Sequence, residues 1–247
     1  ADGLSAEEKS VVDRAILKTY RDFGWAKKKA VKKAGNAYPR LNDFYKVLKS
    51  LKQPKLCQRL EKYTKGSLAD VFDSHTNIEL NNRLVVFDTK DLPESLRQIM
   101  HLVVAQFTLN QVKSDPVKRI LVIDEAWLML EHEESARFIS GLVRRARKYY
   151  LGVSIISQQA SDFLQNAYGR AIASQSALRI LMRQDTTTIK NVTSEFRLSE
   201  YEQRFLLTCE RGEALIIANQ HHVAVKVTAS ESEHPLITTD PSERRKQ

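Results

Sequence analysis

Along the first third of the chain, apolar residues return every three or four positions. Val11, Val12, Ala15, Ile16, Tyr20 and Phe23, with Thr19 among them, fall on one helical face. Ser5 and Glu8 stand ahead of them in capping-box spacing. Leu41, Phe44, Tyr45, Leu48 and Leu51 predict a second amphipathic helix between the breaks at Pro39 and Pro54. Leu56, Leu60 and Tyr63 predict a third, with Gly66 placed to end it. This reads as a small helical bundle closing near Asp73.

The pattern then changes. Ile78-Glu-Leu80 and Leu84-Val-Val-Phe87 read as two strands joined at Asn81-Asn82, a pair that tolerates positive φ. Residues 95–112 predict a helix apolar on most sides, hence packed on a sheet. Ile120-Leu-Val-Ile123 is a continuous branched run, the signature of a parallel strand buried on both faces. A helix over 133–149 follows, with Phe138, Ile139, Leu142 and Val143 inward. Strands are expected at Val153–Ile156 and Ala177–Met182. Strand, helix, strand is the crossover unit of a parallel α/β sheet. Ser199 and Glu202 cap a later helix, and Ala214–Ile217 with Val223–Val227 predict a hairpin around 219–222. The expected division is a helical subdomain over 1–76, an α/β core over 77–229 and a polar, frayed tail over 230–247.

Composition narrows the class. The chain has 247 residues, enough for a real core, with 42% hydrophobic and 28% charged positions. Its net charge of +9 favours an acidic partner, such as DNA or an anionic membrane surface. The basic stretch Lys27–Lys33 is the candidate DNA contact, against the plainer reading of a solvated helix face. Cys57 and Cys209 form no C-x-x-C pair and read as buried thiols. The longest uncharged run, Gln98–Val112, is too short and too polar to span a bilayer, so no transmembrane segment is expected. His221-His222 has no third ligand nearby in sequence to make a metal site.

The chemistry concentrates at the predicted strand ends. In Arg119-Ile-Leu-Val-Ile-Asp124-Glu125-Ala-Trp127, an apolar strand ends in two carboxylates. Ligands of parallel α/β sheets bind at that end, and carboxylates held there need a cation or a water. As a Walker B strand, Asp124 would hold Mg²⁺ through its water shell and Glu125 would orient and deprotonate an attacking water. The alternative is two acids capping the following helix. Gln158, after the next strand, is placed to sense the γ-phosphate or the catalytic water, and is preferred to its neighbour Gln159. Arg144, Arg145, Arg147 and Lys148 precede that strand. Arg147 is the first choice for a guanidinium acting on a transferring phosphoryl group, with Arg183 on the following strand a further candidate. No G-x-x-x-x-G-K-[ST] occurs, and the eight glycines are scattered. The chain starts at Ala1 without an initiator Met, so truncation of a longer protein is the expected reason.

Together, Arg119–Trp127, Arg144–Lys148 before Gly152-Val-Ser-Ile-Ile-Ser-Gln-Gln159, and Gly212-Glu-Ala-Leu-Ile-Ile217 resemble the C-terminal motor of VirB-type type IV secretion ATPases, in the HerA/FtsK superfamily. The resemblance implies a RecA-like, mostly parallel sheet flanked by helices, with an inserted helical subdomain. It implies ATP and Mg²⁺ as cofactors, Asp124 and Glu125 as the Walker B pair, Gln158 as the polar sensor and Arg147 as a finger acting on a neighbour's ATP. Arg183 would belong to a later arginine-bearing motif. A hexamer is implied, working with other secretion components in the cytoplasm against the inner face of the cytoplasmic membrane, in conjugation, pilus assembly and substrate transfer. Two other functions remain open: a HerA/FtsK-like or coupling-protein DNA translocase, and a degenerate scaffold without catalysis. The departure from the family is the absent phosphate-binding loop, without which this chain alone is expected to be inactive.

Overall fold

The computed structural model describes residues 3–25, 38–75, 82–115 and 117–238. The chain divides into two units, Ala1–Val85 and Val86–Gln247. Among its described residues the first unit holds helices only: α1 (Ala6–Asp22), α2 (Leu41–Ser50), α3 (Pro54–Thr64) and α4 (Ala69–Phe72). Ser5 caps α1 as its spacing implied, its hydroxyl accepting the Glu8 N–H at 3.1 Å while the Glu8 carboxylate takes the Ser5 N–H at 2.9 Å. Pro54 sits in the first turn of α3, where its missing N–H is harmless. Ala15, Tyr45, Val47, Leu48, Leu56 and Cys57 close the core of this unit. Most of each apolar stripe read from sequence packs, but Ile16 and Tyr20 of α1 stay exposed, and Val47, outside the stripe read for α2, is buried.

The second unit holds α5 (Glu94–Ser114), β1 (Arg119–Ile123), α6 (Trp127–Leu130), α7 (Glu133–Ala146), β2 (Leu151–Ile155), α8 (Ala167–Gln175), β3 (Leu178–Leu181), α9 (Ile189–Phe196), α10 (Glu200–Thr208), β4 (Glu213–Ala218), β5 (His221–Lys226) and α11 (His234–Ile237). Its class is α/β. β1 and β2 pair in parallel, Arg119 opposite Leu151 through Ile123 opposite Ile155. Helices α5 and α7 cover one face of this pair. Near the start of the strands, Leu109 and Val112 of α5 meet Leu142 and Ala146 of α7, with Leu121 and Leu151. Near their end, Ala105 and Ile139 meet Ile123 and Ala126. So α5 runs antiparallel to β1, with its first turns beside the strand's carboxyl end.

Three expectations are corrected. β1 is not buried on both faces: Leu121 and Ile123 point to the helices, but Ile120 and Val122 are 78% and 57% exposed. Strand side chains alternate, and among the described residues nothing covers the second face. The strand over 177–182 does not extend the parallel pair. It forms β3, which pairs antiparallel with β4, and β4 with β5, in a separate three-stranded sheet. Residues 84–87 form no strand, and Leu84 and Val86 are exposed. A strand needs a ladder partner, and Ile78–Leu80, the partner read from sequence, lies outside the described residues.

The expected hairpin is β4–β5, turned at Asn219-Gln220 with Asn219 at φ 56°. His221 and His222 therefore lie on β5 itself. His222 Nδ1 meets Glu202 Oε1 at 2.7 Å, tying the hairpin to α10. Burial works against the Glu202 carboxylate, yet the N–H and hydroxyl of Ser199, together with His222, hold it below the usual glutamate range. Leu181, Val192, Leu206, Leu215 and Ile217 form the core between this sheet and helices α9 and α10. The tail, expected to fray from residue 230, carries the short helix α11 before the described residues end.

Gly169, in the first turn of α8, lets that helix press on the preceding chain. A Cβ there would stand 2.4 Å from the Phe163 carbonyl oxygen, which is backbone and cannot swing aside. Gly169→Ala is expected to destabilise the second unit by about 1–3 kcal/mol. Urea unfolding of the variant beside the parent chain checks this, and an unchanged midpoint would refute it.

Candidate active site

The site is built where β1 and β2 end. The ladder continues one step past both strands: Ile156 N–H donates to the Ile123 carbonyl at 2.9 Å, and Ala126 N–H donates to the Ile156 carbonyl at 2.9 Å. These bonds fix the backbone around Asp124 and Glu125 against that leading to Gln158. Asp124 is exposed, and its Oδ1 accepts the Glu125 N–H at 2.9 Å. Glu125 is half-buried and takes φ 51°, a left-handed conformation that a residue with a side chain adopts only when its surroundings impose it. The turn sends the Glu125 side chain across to the next strand. There the Gln158 amide Nε2 lies 3.1 Å from both carboxylate oxygens. The indole Nε1 of Trp127 donates to Glu125 Oε2 at 2.6 Å.

The sequence reading placed Asp124, Glu125 and Gln158 at one strand edge, and the structure brings them together there. It also holds the Gln158 turn from behind. Asp162 accepts the Ser157 hydroxyl and, at 3.4 Å, the Gln159 N–H. The Gln159 side chain accepts the Ser161 hydroxyl at 3.1 Å.

Arg147 lies at the other end. It opens a 3-10 turn, Arg147–Tyr149, that leads into the start of β2, and the Tyr150 carbonyl accepts the Arg119 N–H at 3.2 Å there. The length of β2 therefore separates Arg147 from Gln158, roughly 13 Å at about 3.3 Å per residue. Arg147 is exposed and does not join Glu125 within this chain. Arg183 is not brought to the carboxylates either. It is exposed just beyond β3, and its charge acts on Cys209, whose thiol burial pushes up. Arg179 caps the end of α8 instead, donating to the Ala173 carbonyl at 2.7 Å and the Ser174 carbonyl at 3.2 Å. Lys27–Lys33 lies outside the described residues.

Two residues beside the carboxylates escaped the sequence reading. Trp127 was visible only as the end of a motif. Its indication was its spacing, since an indole two residues past a left-handed turn can fold back onto the acid. His101 sits one turn before Ala105 on α5, and so at the depth of the strand ends. Burial and Arg97 depress its imidazole below the usual histidine value, while the negative charges of Asp124 and Glu125 pull the other way. Its Nε2 meets the Thr89 hydroxyl at 3.2 Å, and its Nδ1 is buried with no partner among the described residues. Nothing in the sequence marked it, because its position depends on how α5 packs on β1.

The donor set suits Mg²⁺ in one respect. Asp124 presents a hard carboxylate at an open strand end, and Mg²⁺ commonly keeps most of its waters and takes only one or two carboxylates. Among the described residues no group of three His, Cys, Asp or Glu side chains could cage a metal without such waters. For the phosphates of a nucleotide the fit is incomplete, since no glycine-rich backbone cradle is present in the sequence.

The family model of the TraG P-loop domain matches residues 30–246. The chain belongs to the TraG P-loop domain family. Among curated relatives, this TraG P-loop chain is similar to the type IV secretion system protein virB4 of Bartonella quintana (strain Toulouse), 24% identical over 176 residues covering 68% of this chain and 22% of that protein. It is equally similar to virB4 of Bartonella henselae, 24% identical over 176 residues, 65% of this chain and 22% of that protein. It thus spans about a fifth of the length of these relatives. Among solved structures, VirB4 of Thermoanaerobacter pseudethanolicus superposes with a TM-score of 0.82 at 24% identity, covering 93% of this chain and 66% of that one. The fold is that of the VirB4 structure, and the α/β class expected from sequence is the one found. Among the described residues no helix is long and apolar enough to cross a membrane.

Proposed function

We propose that this TraG P-loop chain is the Walker B-bearing portion of an ATP-hydrolysing motor of a type IV secretion system. The observation that carries the reading is the hydrogen-bonded set Asp124, Glu125 and Gln158 at the carboxyl end of a parallel strand pair. Asp124 would hold Mg²⁺ through water, and Glu125 would receive the proton of an attacking water. Gln158, in the turn after the neighbouring strand, would report the state of the phosphates to Glu125. Bound Mg²⁺ neutralises charge on the phosphoryl group being transferred. Arg147 would serve the site of the next subunit in a ring, a hexamer by resemblance to the family. Arg183 is retained as the weaker arginine candidate. The phosphate loop would be supplied by sequence outside these residues, in keeping with the share of the relatives that the chain spans. Pilus assembly and substrate transfer at the inner face of the cytoplasmic membrane, with other secretion components as partners, complete the reading. The DNA-translocase alternative rests on net charge and on Lys27–Lys33 alone, and it gains no support from the geometry of the strand ends.

The test compares ATP hydrolysis by this chain with that of the protein extended to the length of its relatives. Turnover is expected only in the extended protein. No turnover in a folded, assembled extended protein would favour the scaffold reading instead.

A further inference from the structure

We propose that Trp127 is the positioning residue of Glu125: its indole N–H fixes the carboxylate while the Gln158 amide remains free to exchange partners. The inference rests on the reading of Glu125 given above and adds a residue to it.

The two donors that hold Glu125 differ in how firmly they are themselves held. Trp127, itself half-buried, opens α6, a short helix held by packing and by hydrogen bonds at both ends. Leu128, Met129 and Leu130 are buried. The Ala126 N–H before the helix is bonded to the Ile156 carbonyl at 2.9 Å. The Leu130 carbonyl at its end accepts the Asn166 amide at 2.7 Å. Gln158 carries its amide on an exposed side chain in the turn after β2. Its one nitrogen is shared between both carboxylate oxygens at 3.1 Å, whereas the indole points to Oε2 alone at 2.6 Å. The shorter bond to a single oxygen comes from the indole at the start of a buried helix, the longer divided one from an exposed amide.

Rigidity decides which of them can orient a base. A general base works only within a narrow range of position, and a donor locked by packing maintains that position at little entropic cost. The left-handed backbone at Glu125 makes the need greater. That conformation is retained only where surrounding bonds over-determine it. The Asp124 carboxylate secures the Glu125 N–H, and the indole secures the far end of the side chain. With both in place, Gln158 can turn its amide from Glu125 to another acceptor, and Glu125 stays where it is.

Trp127→Phe removes the N–H and keeps an aromatic ring to fill the space. In the extended protein it is expected to lower kcat about 10- to 100-fold, the size of one charge-assisted hydrogen bond, with KM for ATP changed less than about twofold. Loss of general folding would raise KM and reduce binding as well. The second readout needs no turnover and no Trp127 variant. Trp25 and Trp127 are the two tryptophans of the chain, so Trp25→Phe leaves Trp127 as the sole indole emitter. In that background, in these 247 residues, Glu125→Ala is expected to shift and change the intensity of the Trp127 emission. Glu133→Ala, on the exposed side of α7, is expected to leave it in place.

Emission indifferent to Glu125→Ala would overturn the proposal whatever the kinetics. So would unchanged kcat in Trp127→Phe when Glu125→Gln abolishes turnover, and in that case the reading of Glu125 itself survives. If the extended protein turns over ATP equally well with and without Glu125, the reading of the site falls and this inference falls with it.

Discussion

Glu125→Gln, in the protein extended to its relatives' length, is expected to bind Mg-ATP as the parent does and to lose turnover by about two to four orders of magnitude. The substitution keeps the size of the side chain and an oxygen to accept the Trp127 N–H, which the carboxylate now accepts at 2.6 Å. It removes the anion that could take a proton. Asp124, the residue proposed to hold the metal through water, is untouched, so affinity should remain. Equilibrium binding of a fluorescent ATP analogue and single-turnover hydrolysis separate the two quantities. Normal turnover would remove Glu125 from the chemistry. Lost binding with lost turnover would mean that the acid supports the fold of the strand end and not the reaction.

Arg147→Ala is expected to reduce hydrolysis by about three orders of magnitude or more, within the range reported for arginine fingers, with folding intact. The geometry makes the prediction specific. Arg147 stands at the amino end of β2, and Glu125 and Gln158 stand at the carboxyl end of the pair. A guanidinium cannot cross the length of a strand, so a direct action of Arg147 on the phosphates, as proposed, would be on a different subunit's site. Mixing Arg147→Ala subunits with Glu125→Gln subunits should therefore restore part of the activity. The first kind contributes an intact carboxylate, and the second an intact arginine facing it. Full activity in Arg147→Ala alone would place the finger elsewhere. Loss without restoration in mixed assemblies would indicate a local structural role at the end of α7, where Arg144 and Arg145 already crowd the last turn.

Much of the helical unit was legible because its signals are local. Ser5 and Glu8 are three residues apart, and a capping box needs only that spacing and a helix behind it. The stripes of α2 and α3 place Tyr45, Leu48 and Leu56 inside by spacing alone, and Cys57 joins them as the buried thiol its isolation implied. Strands were harder. A strand is defined by its partner, and the branched run of β1 carried no record of which face the helices would take. Two-sided burial was read where α5 and α7 lie on one face and leave Ile120 and Val122 in the open. For the same reason β3 was grouped with the parallel strands, although its ladder runs antiparallel to β4.

The sequence by itself determined α1, α2, α3, α5, α7 and α10, the apolar strand that ends in Asp124-Glu125, and the polar Gln158 one strand later. These follow from spacings of a few residues, which the chain cannot avoid expressing. Only the tertiary structure decided what those residues do to one another. It aligned β2 beside β1 so that Gln158 reaches both oxygens of Glu125. It turned Glu125 through a left-handed conformation toward the Trp127 indole. It ran α5 back along β1 to bring His101 to the same depth, and it put Arg147 at the far end of β2. Strand register and helix direction set these distances, and both arise from long-range packing that no local spacing encodes.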